Sequence, residues 1–182
     1  ALALQEGHRQ SLDLDFFTPQ ATFSEDILER MLFATGHWVT SLRATGTLYG
    51  ELQGAKMSFI AYPFFRPTLE RVTFQHLHML VPQDIAAMKI IAMSQRGKKR
   101  DFVDLYWFLH HGETLNSLIM RALDQYPGKD HNVPHMIKSL TYFADAEPDP
   151  MPKLYFTASW EEIRGYFMRE APKVAKQLLG LE

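Results

Sequence analysis

Three short stretches of this sequence place charged side chains where solvation alone would not put them. In Ser11-Leu12-Asp13-Leu14-Asp15-Phe16-Phe17, two carboxylates stand two residues apart inside an apolar run. Alternation along a strand projects Asp13 and Asp15 from one side and turns Leu12, Leu14 and Phe16 toward a core. The two Cα atoms would then lie roughly 6 to 7 Å apart. Negative charges at about that distance repel by on the order of 2 to 3 kcal/mol at an effective dielectric near 20. A cation between them relieves the repulsion. Mg²⁺ suits such a pair, because it binds through one or two carboxylates and completes its shell with water and substrate phosphates. Two solvated acids on an outer sheet face produce the same pattern, and the spacing alone leaves both readings open.

The second stretch runs from Val81 to Arg96. Lys89 and Arg96, seven apart, fall on one face of a helix with Ala92 and Met93 between them. Lys89 either snorkels to solvent or meets a phosphate or carboxylate, while Asp84 suits the first turn through the helix dipole. In the third stretch, Arg96 to Leu109, nearly every face is apolar from Phe102 onward. Such a helix is buried, and Asp104 within it requires a basic partner. Lys89 and Arg96 are the nearest in sequence. Asp101 lies one turn earlier on the same side, where a dipole role is equally good. The run Arg96-Gly97-Lys98-Lys99-Arg100 is the one local basic patch, either a guide for a polyanion or a solvated loop. His76 and His78, and His131 and His135, have chelating spacing but no third ligand near them in sequence, so hydrogen-bonded or surface histidines are expected.

These side chains need elements to position them. The pattern predicts a helical fragment over Ala1–Glu6, then strands over 12–17, 39–44, 47–52, 56–62 and 76–80. Helices are expected over 24–34, 83–95, 101–111, 114–125, 132–143 and 159–178, with Pro63 and Pro67 bracketing a loop. No capping residue precedes Ala1-Leu2-Ala3-Leu4, so that element is expected to begin upstream of Ala1. The division is an α/β portion, 1–95, followed by a helical portion, 96–182. With 46% apolar residues the chain can support a packed core, and a net charge of −2 gives no global attraction to nucleic acid. The absence of cysteine excludes disulfides and thiolate chemistry and fits a reducing cytoplasm. No apolar run approaches membrane-spanning length.

Taken in order, Gly7-His8-Arg9-Gln10-Ser11-Leu12-Asp13-Leu14-Asp15-Phe16-Phe17, Asp84-Ile85-Ala86-Ala87-Met88-Lys89 and Lys99-Arg100-Asp101-Phe102-Val103-Asp104-Leu105 closely resemble the AbiEii/AbiGii-type nucleotidyltransferases of the polymerase-beta-like superfamily. The resemblance extends over nearly the whole chain, including Tyr142 to Glu147 and Trp160. It implies an α+β fold, with a small mixed β-sheet core flanked by helices and a C-terminal helical domain. It also implies transfer of a nucleoside monophosphate from an NTP to a hydroxyl of a tRNA-like RNA or a protein. On this resemblance Asp13 and Asp15 bind Mg²⁺ or Mn²⁺, and Lys89 meets nucleotide phosphates. Asp101 and Asp104 form the last acidic motif, with Asp101 acting on the acceptor hydroxyl. Arg9, Ser11 and Arg96 fall where phosphate contacts are expected. Family members include toxins paired with an antitoxin protein. Two departures stand out. The family's Gly-Gly-Thr or Gly-Ser stretch would lie before Ala1, and Ser58 falls where the broader superfamily often supplies a third carboxylate. A catalytically silent module binding nucleotide or protein, and a metal-dependent phosphohydrolase, are the rival expectations.

Overall fold

A computed structural model describes residues 1–127 and 131–180. The chain divides into two compact units, one formed by Ser11–Arg66, the other by Leu2–Gln10 with the residues from Pro67 onward. The boundary expected at residue 95 falls inside the second unit.

The first unit is a four-stranded sheet with one helix. Its strands are β1 (Asp13–Thr18), β2 (Trp38–Ala44), β3 (Thr47–Leu52) and β4 (Ala55–Ala61), in the order β1-β4-β3-β2. β1 runs parallel to β4, and the remaining pairs are antiparallel hairpins. On one face, Trp38 lies directly over Gly50, where a Cβ would come within 2.2 Å of the indole, so no larger residue fits. Phe16 stacks on Phe59 at 5.0 Å on that face, and Leu48 is fully buried.

The helix α2 (Glu25–Phe33) opens at Ser24, whose hydroxyl accepts from the Ile27 amide. It is fastened to the same face. Glu29 accepts from the Thr40 hydroxyl and pairs with Arg43, which also pairs with Asp26. Because α2 packs on β2 and β3, edge strand β1 receives little cover. Leu12 is 71% exposed and Leu14 46%, so only Phe16 of the three expected core residues packs inward.

The second unit begins with α1 (Leu2–Glu6). The segment after it is held by an isolated bridge between Arg9 and Leu154 and by a hydrogen bond from the Gln10 amide to the Lys153 carbonyl. A two-stranded hairpin follows Pro67, β5 (Val72–Phe74) with β6 (Leu77–Met79). β5 was not expected: its three residues lie between the loop bracketed by Pro63 and Pro67 and the strand expected over 76–80. Then come α3 (Pro82–Gln95), α4 (Lys99–Leu109), α5 (Leu115–Gln125), α6 (Val133–Ser139) and α7 (Trp160–Leu179). α3 has almost no amphipathic bias and packs against α4, α5 and α6, burying Ala86, Ala87 and Ile90 completely. Phe102 of α4 contacts the rings of Phe143, Trp160 and Phe167. Capping boxes at Thr114/Ser117 and Ser159/Glu162 start α5 and α7. α6 stops at Ser139, four residues short of expectation. No described helix is long and apolar enough to cross a membrane.

Candidate active site

In the first unit, strand register decides what surrounds the acidic pair. Asp13 is opposite Lys56 and Asp15 is opposite Ser58 on β4, and these in turn are opposite Glu51 and Tyr49 on β3. Residues paired across strands share a face. The face away from α2 therefore carries two rows, Asp13-Lys56-Glu51 and Asp15-Ser58-Tyr49. Asp15 is exposed and Asp13 half-buried. Carboxylate and hydroxyl oxygens on one open face are hard donors and fit Mg²⁺ or Mn²⁺, with remaining positions for water or phosphate oxygens. Among the described residues no cluster of three or more acidic or histidine side chains is arranged to hold a metal, so any ion here depends on those further oxygens. A groove of about 330 Å³ near the ends of β1 and β4 is apolar, lined by Phe16, Phe17, Ile27, Met31 and Phe59 among others, and contains none of the charged candidates.

In the second unit the helices assemble a buried ionic network. The spacing within α4 brings Asp101 and Asp104 to one side, where α3 presents Lys89. The Lys89 Nζ lies 2.8 Å from Asp101 Oδ1 and 2.7 Å from Asp104 Oδ2. Arg9 grips Asp104 with two nitrogens, Nε donating to Oδ1 at 2.5 Å and Nη2 to Oδ2 at 2.8 Å, while Nη1 donates to the Gln10 carbonyl. His8 Nε2 reaches Asp104 Oδ1 at 2.6 Å, and its ring stacks on Trp107. His8 Nδ1 is buried with no hydrogen-bond partner among the described residues.

Asp104 is thus completely buried with three basic partners. Burial alone would raise its carboxyl, but Lys89, then Arg9 and His8, hold it far below the usual carboxylate range. Burial would likewise lower the Lys89 ammonium, yet Asp104 and Asp101 outweigh it and raise it. Lys89 therefore carries its charge at neutral pH. Asp104 has both oxygens saturated, whereas Asp101 gives one oxygen to Lys89 and sits at 7% exposure.

The structure brings Lys89, Asp101, Asp104 and Arg9 together. Ser11 is exposed just before β1, and Arg96 is exposed at the end of α3, outside the network. The basic run is largely committed. Lys99 is buried, lies 5.0 Å from the Trp160 ring centre and donates to the Glu147 carbonyl, and Lys98 pairs with Asp149. His131 and His135 bond to the carbonyls of Tyr126 and Ser94, and His78 to Thr73.

Two roles escaped the sequence. His8 gave no signal beyond its place beside Arg9, since its partner is 96 positions away. Asp84 is no exposed dipole acid. It is fully buried and accepts from the Thr68 amide and hydroxyl, the Leu69 amide and the Gln125 side chain, with Arg121 at 3.6 Å. Its buried position inside an apolar helix was the available signal.

Comparison with known proteins places this geometry among relatives. Residues 1–178 match the family of nucleotidyl transferase AbiEii toxins of type IV toxin–antitoxin systems. The chain is 34% identical over 176 residues to an uncharacterized protein of Aquifex aeolicus (strain VF5), covering 93% of this chain and 82% of that one. It is similar in fold to the crystal structure of a provisionally assigned nucleotidyltransferase from H. pylori, with a TM-score of 0.53 and 18% identity over 100% of this chain and 85% of that one.

Proposed function

The chain belongs to the AbiEii nucleotidyl transferase toxin family, and from that premise we propose a metal-dependent transfer of a nucleoside monophosphate from an NTP to a hydroxyl of a tRNA-like RNA or a protein. That it is a nucleotidyltransferase follows from the family. The metal, the acceptor and the residue roles are the proposal.

In this reaction the acceptor oxygen attacks the α-phosphorus, the bond from that phosphorus to the bridging oxygen breaks, and pyrophosphate leaves. Asp13 and Asp15 would hold a divalent ion, Mg²⁺ or Mn²⁺, which when bound neutralises triphosphate charge and polarises phosphoryl oxygens. Lys89, kept cationic by its acidic neighbours, stabilises negative charge on the phosphates as it develops. Asp101 takes the proton from the acceptor hydroxyl. Asp104 is a positioning group, braced by Arg9 and His8 so that it orients Lys89 rather than exchanging protons itself. Ser11 and Arg96, both exposed, add phosphate contacts, and an antitoxin protein is the proposed partner in a cytoplasmic setting.

The observation that carries this reading is the Lys89 ammonium bonded at once to Asp101 and Asp104, which unites two separate sequence motifs in one buried network. Incubation with labelled NTPs, Mg²⁺ or Mn²⁺, and RNA or protein fractions tests it. Label is expected on one acceptor class, and lost in Asp13→Ala and Lys89→Ala variants that retain native circular dichroism. Free phosphate in place of labelled acceptor would overturn the transfer reading. Normal labelling by both variants would overturn the site.

A further inference from the structure

The C-terminal half of α4 carries a set of rings that the transfer chemistry leaves unused. Asp101, Asp104, Trp107 and His111 follow one another at spacings of three and four, so acids and rings line one side of α4 and its closing turn. The rings connect to the ionic network. His8, bonded to Asp104, stacks on Trp107 at 5.6 Å, and Trp107 stacks in turn on His111 at 3.6 Å. Phe156, 5.0 Å from Trp107, joins them to a second set, Tyr106, His110 and Tyr166, whose ring centres lie 4.1 to 5.5 Å apart. The Nδ1 atoms of His110 and His111 donate to the carbonyls of Tyr106 and Trp107 at 2.8 and 2.7 Å, which holds both imidazoles against those rings. Both histidines are exposed and the four larger rings are half-buried, so ring area is left in contact with solvent.

Cations flank these rings. Tyr155, whose amide donates to the His8 carbonyl, is 59% exposed with the Lys153 ammonium 5.7 Å from its ring centre. Arg169, exposed, stands one turn from Tyr166 on α7. The neighbouring acids are engaged, Glu6 by the Trp107 indole and Glu170 by Lys173. Rings interleaved with cations suit unpaired nucleotides, because any base can stack on a π face while the backbone follows positive charge. Asp101 and His111 stand roughly 15 Å apart on the helical rise, which leaves room for a few nucleotides. Resting on the reading that an acceptor hydroxyl is activated beside Asp101, we propose that this ring surface binds the acceptor, an RNA with an unpaired end. Its terminal hydroxyl lies at Asp101, the preceding bases stack on the two ring sets, and Lys153 and Arg169 meet the backbone.

Fluorescence anisotropy with a labelled single-stranded oligoribonucleotide, the same strand in a duplex, and a labelled NTP tests this without relying on turnover. The single strand is expected to bind the whole chain more tightly than the duplex. His111→Ala/Tyr155→Ala, at two exposed positions, should weaken it about tenfold or more. Tyr155→Phe, which keeps the ring, should bind like the unaltered chain, and Lys153→Gln/Arg169→Gln should flatten the salt dependence. In transfer assays the ring variant should raise KM for RNA and leave kcat and KM for NTP little changed. Undiminished RNA affinity in the ring variant, or a duplex bound as tightly as the single strand, would overturn the proposal. So would a raised KM for NTP alone, or ring-dependent labelling of protein in place of RNA. Ring-dependent RNA binding with no transfer to any acceptor would instead remove the transfer reading and leave the RNA surface standing.

Discussion

Asp13 and Asp15 on β1 and Asp101 and Asp104 on α4 are the same chemical group placed in opposite circumstances. The strand pair sits on an open sheet face beside one lysine and one serine. The helix pair sits among Lys89, Arg9 and His8, with Asp104 wholly out of solvent. A solvent-exposed acid such as Asp15 contributes little to stability. A buried acid such as Asp104, with both oxygens taken up by Arg9, Lys89 and His8, contributes rigidity, and its chemistry is spent on holding its neighbours. Under the proposed function, placement more than residue type separates the exposed Asp15 from Asp104, which positions its neighbours.

Substitutions on the two sides sharpen that contrast. The largest effect is expected for Asp104→Ala, which strands Arg9, Lys89 and His8 around a missing carboxylate. It should cost about 3 to 5 kcal/mol of stability, read by urea denaturation, and a loss under about 1 kcal/mol would show the network to be far more solvated than its geometry implies. Asp15→Asn, at the exposed acid of the strand pair, is expected to do the reverse. Stability should stay within about 0.5 kcal/mol while nucleotide transfer falls about 100-fold or more, and a large drop in melting temperature would erase the distinction.

The pH dependence of unfolding tests the same contrast more gently. Asp104 has a depressed folded value, so its stabilisation is complete above the ordinary carboxylate pKa of about 3.9 and fades as the pH falls below it. Lys89 has a raised value, so its stabilisation is complete below about pH 10.4 and fades only as the pH climbs further. The network's contribution should thus be flat between roughly pH 5 and 10, and Asp104→Asn should remove the part of the acid limb that it supplies. The smallest effect belongs to Arg96→Ala. An exposed charge outside the network should change transfer no more than about fivefold, measured at limiting NTP.

Much of this was legible in order along the chain. Period-two alternation located β1 and predicted that Asp13 and Asp15 share a side, and the all-apolar character of α3 and α4 announced burial and demanded a cation for Asp104. The sequence offered Lys89 or Arg96 as the nearest candidates for that cation. Packing chose Lys89 and left Arg96 exposed past the last turn of α3. β5 was invisible since three exposed residues, Val72–Phe74, leave no burial pattern to read.

What the sequence by itself determined was therefore local: which faces are apolar, which acids share a side, and which charge cannot stand alone. Only the tertiary structure decided that Arg9 and His8 close on Asp104 across 95 and 96 positions, that Asp84 secures Thr68 and Leu69, and that Lys56 and Ser58 are the neighbours of the acidic pair. The physical reason is that periodicity reports the direction of a side chain relative to its own element. Hydrogen-bond partners and cross-strand neighbours depend on how separate elements are brought together, which local periodicity does not encode.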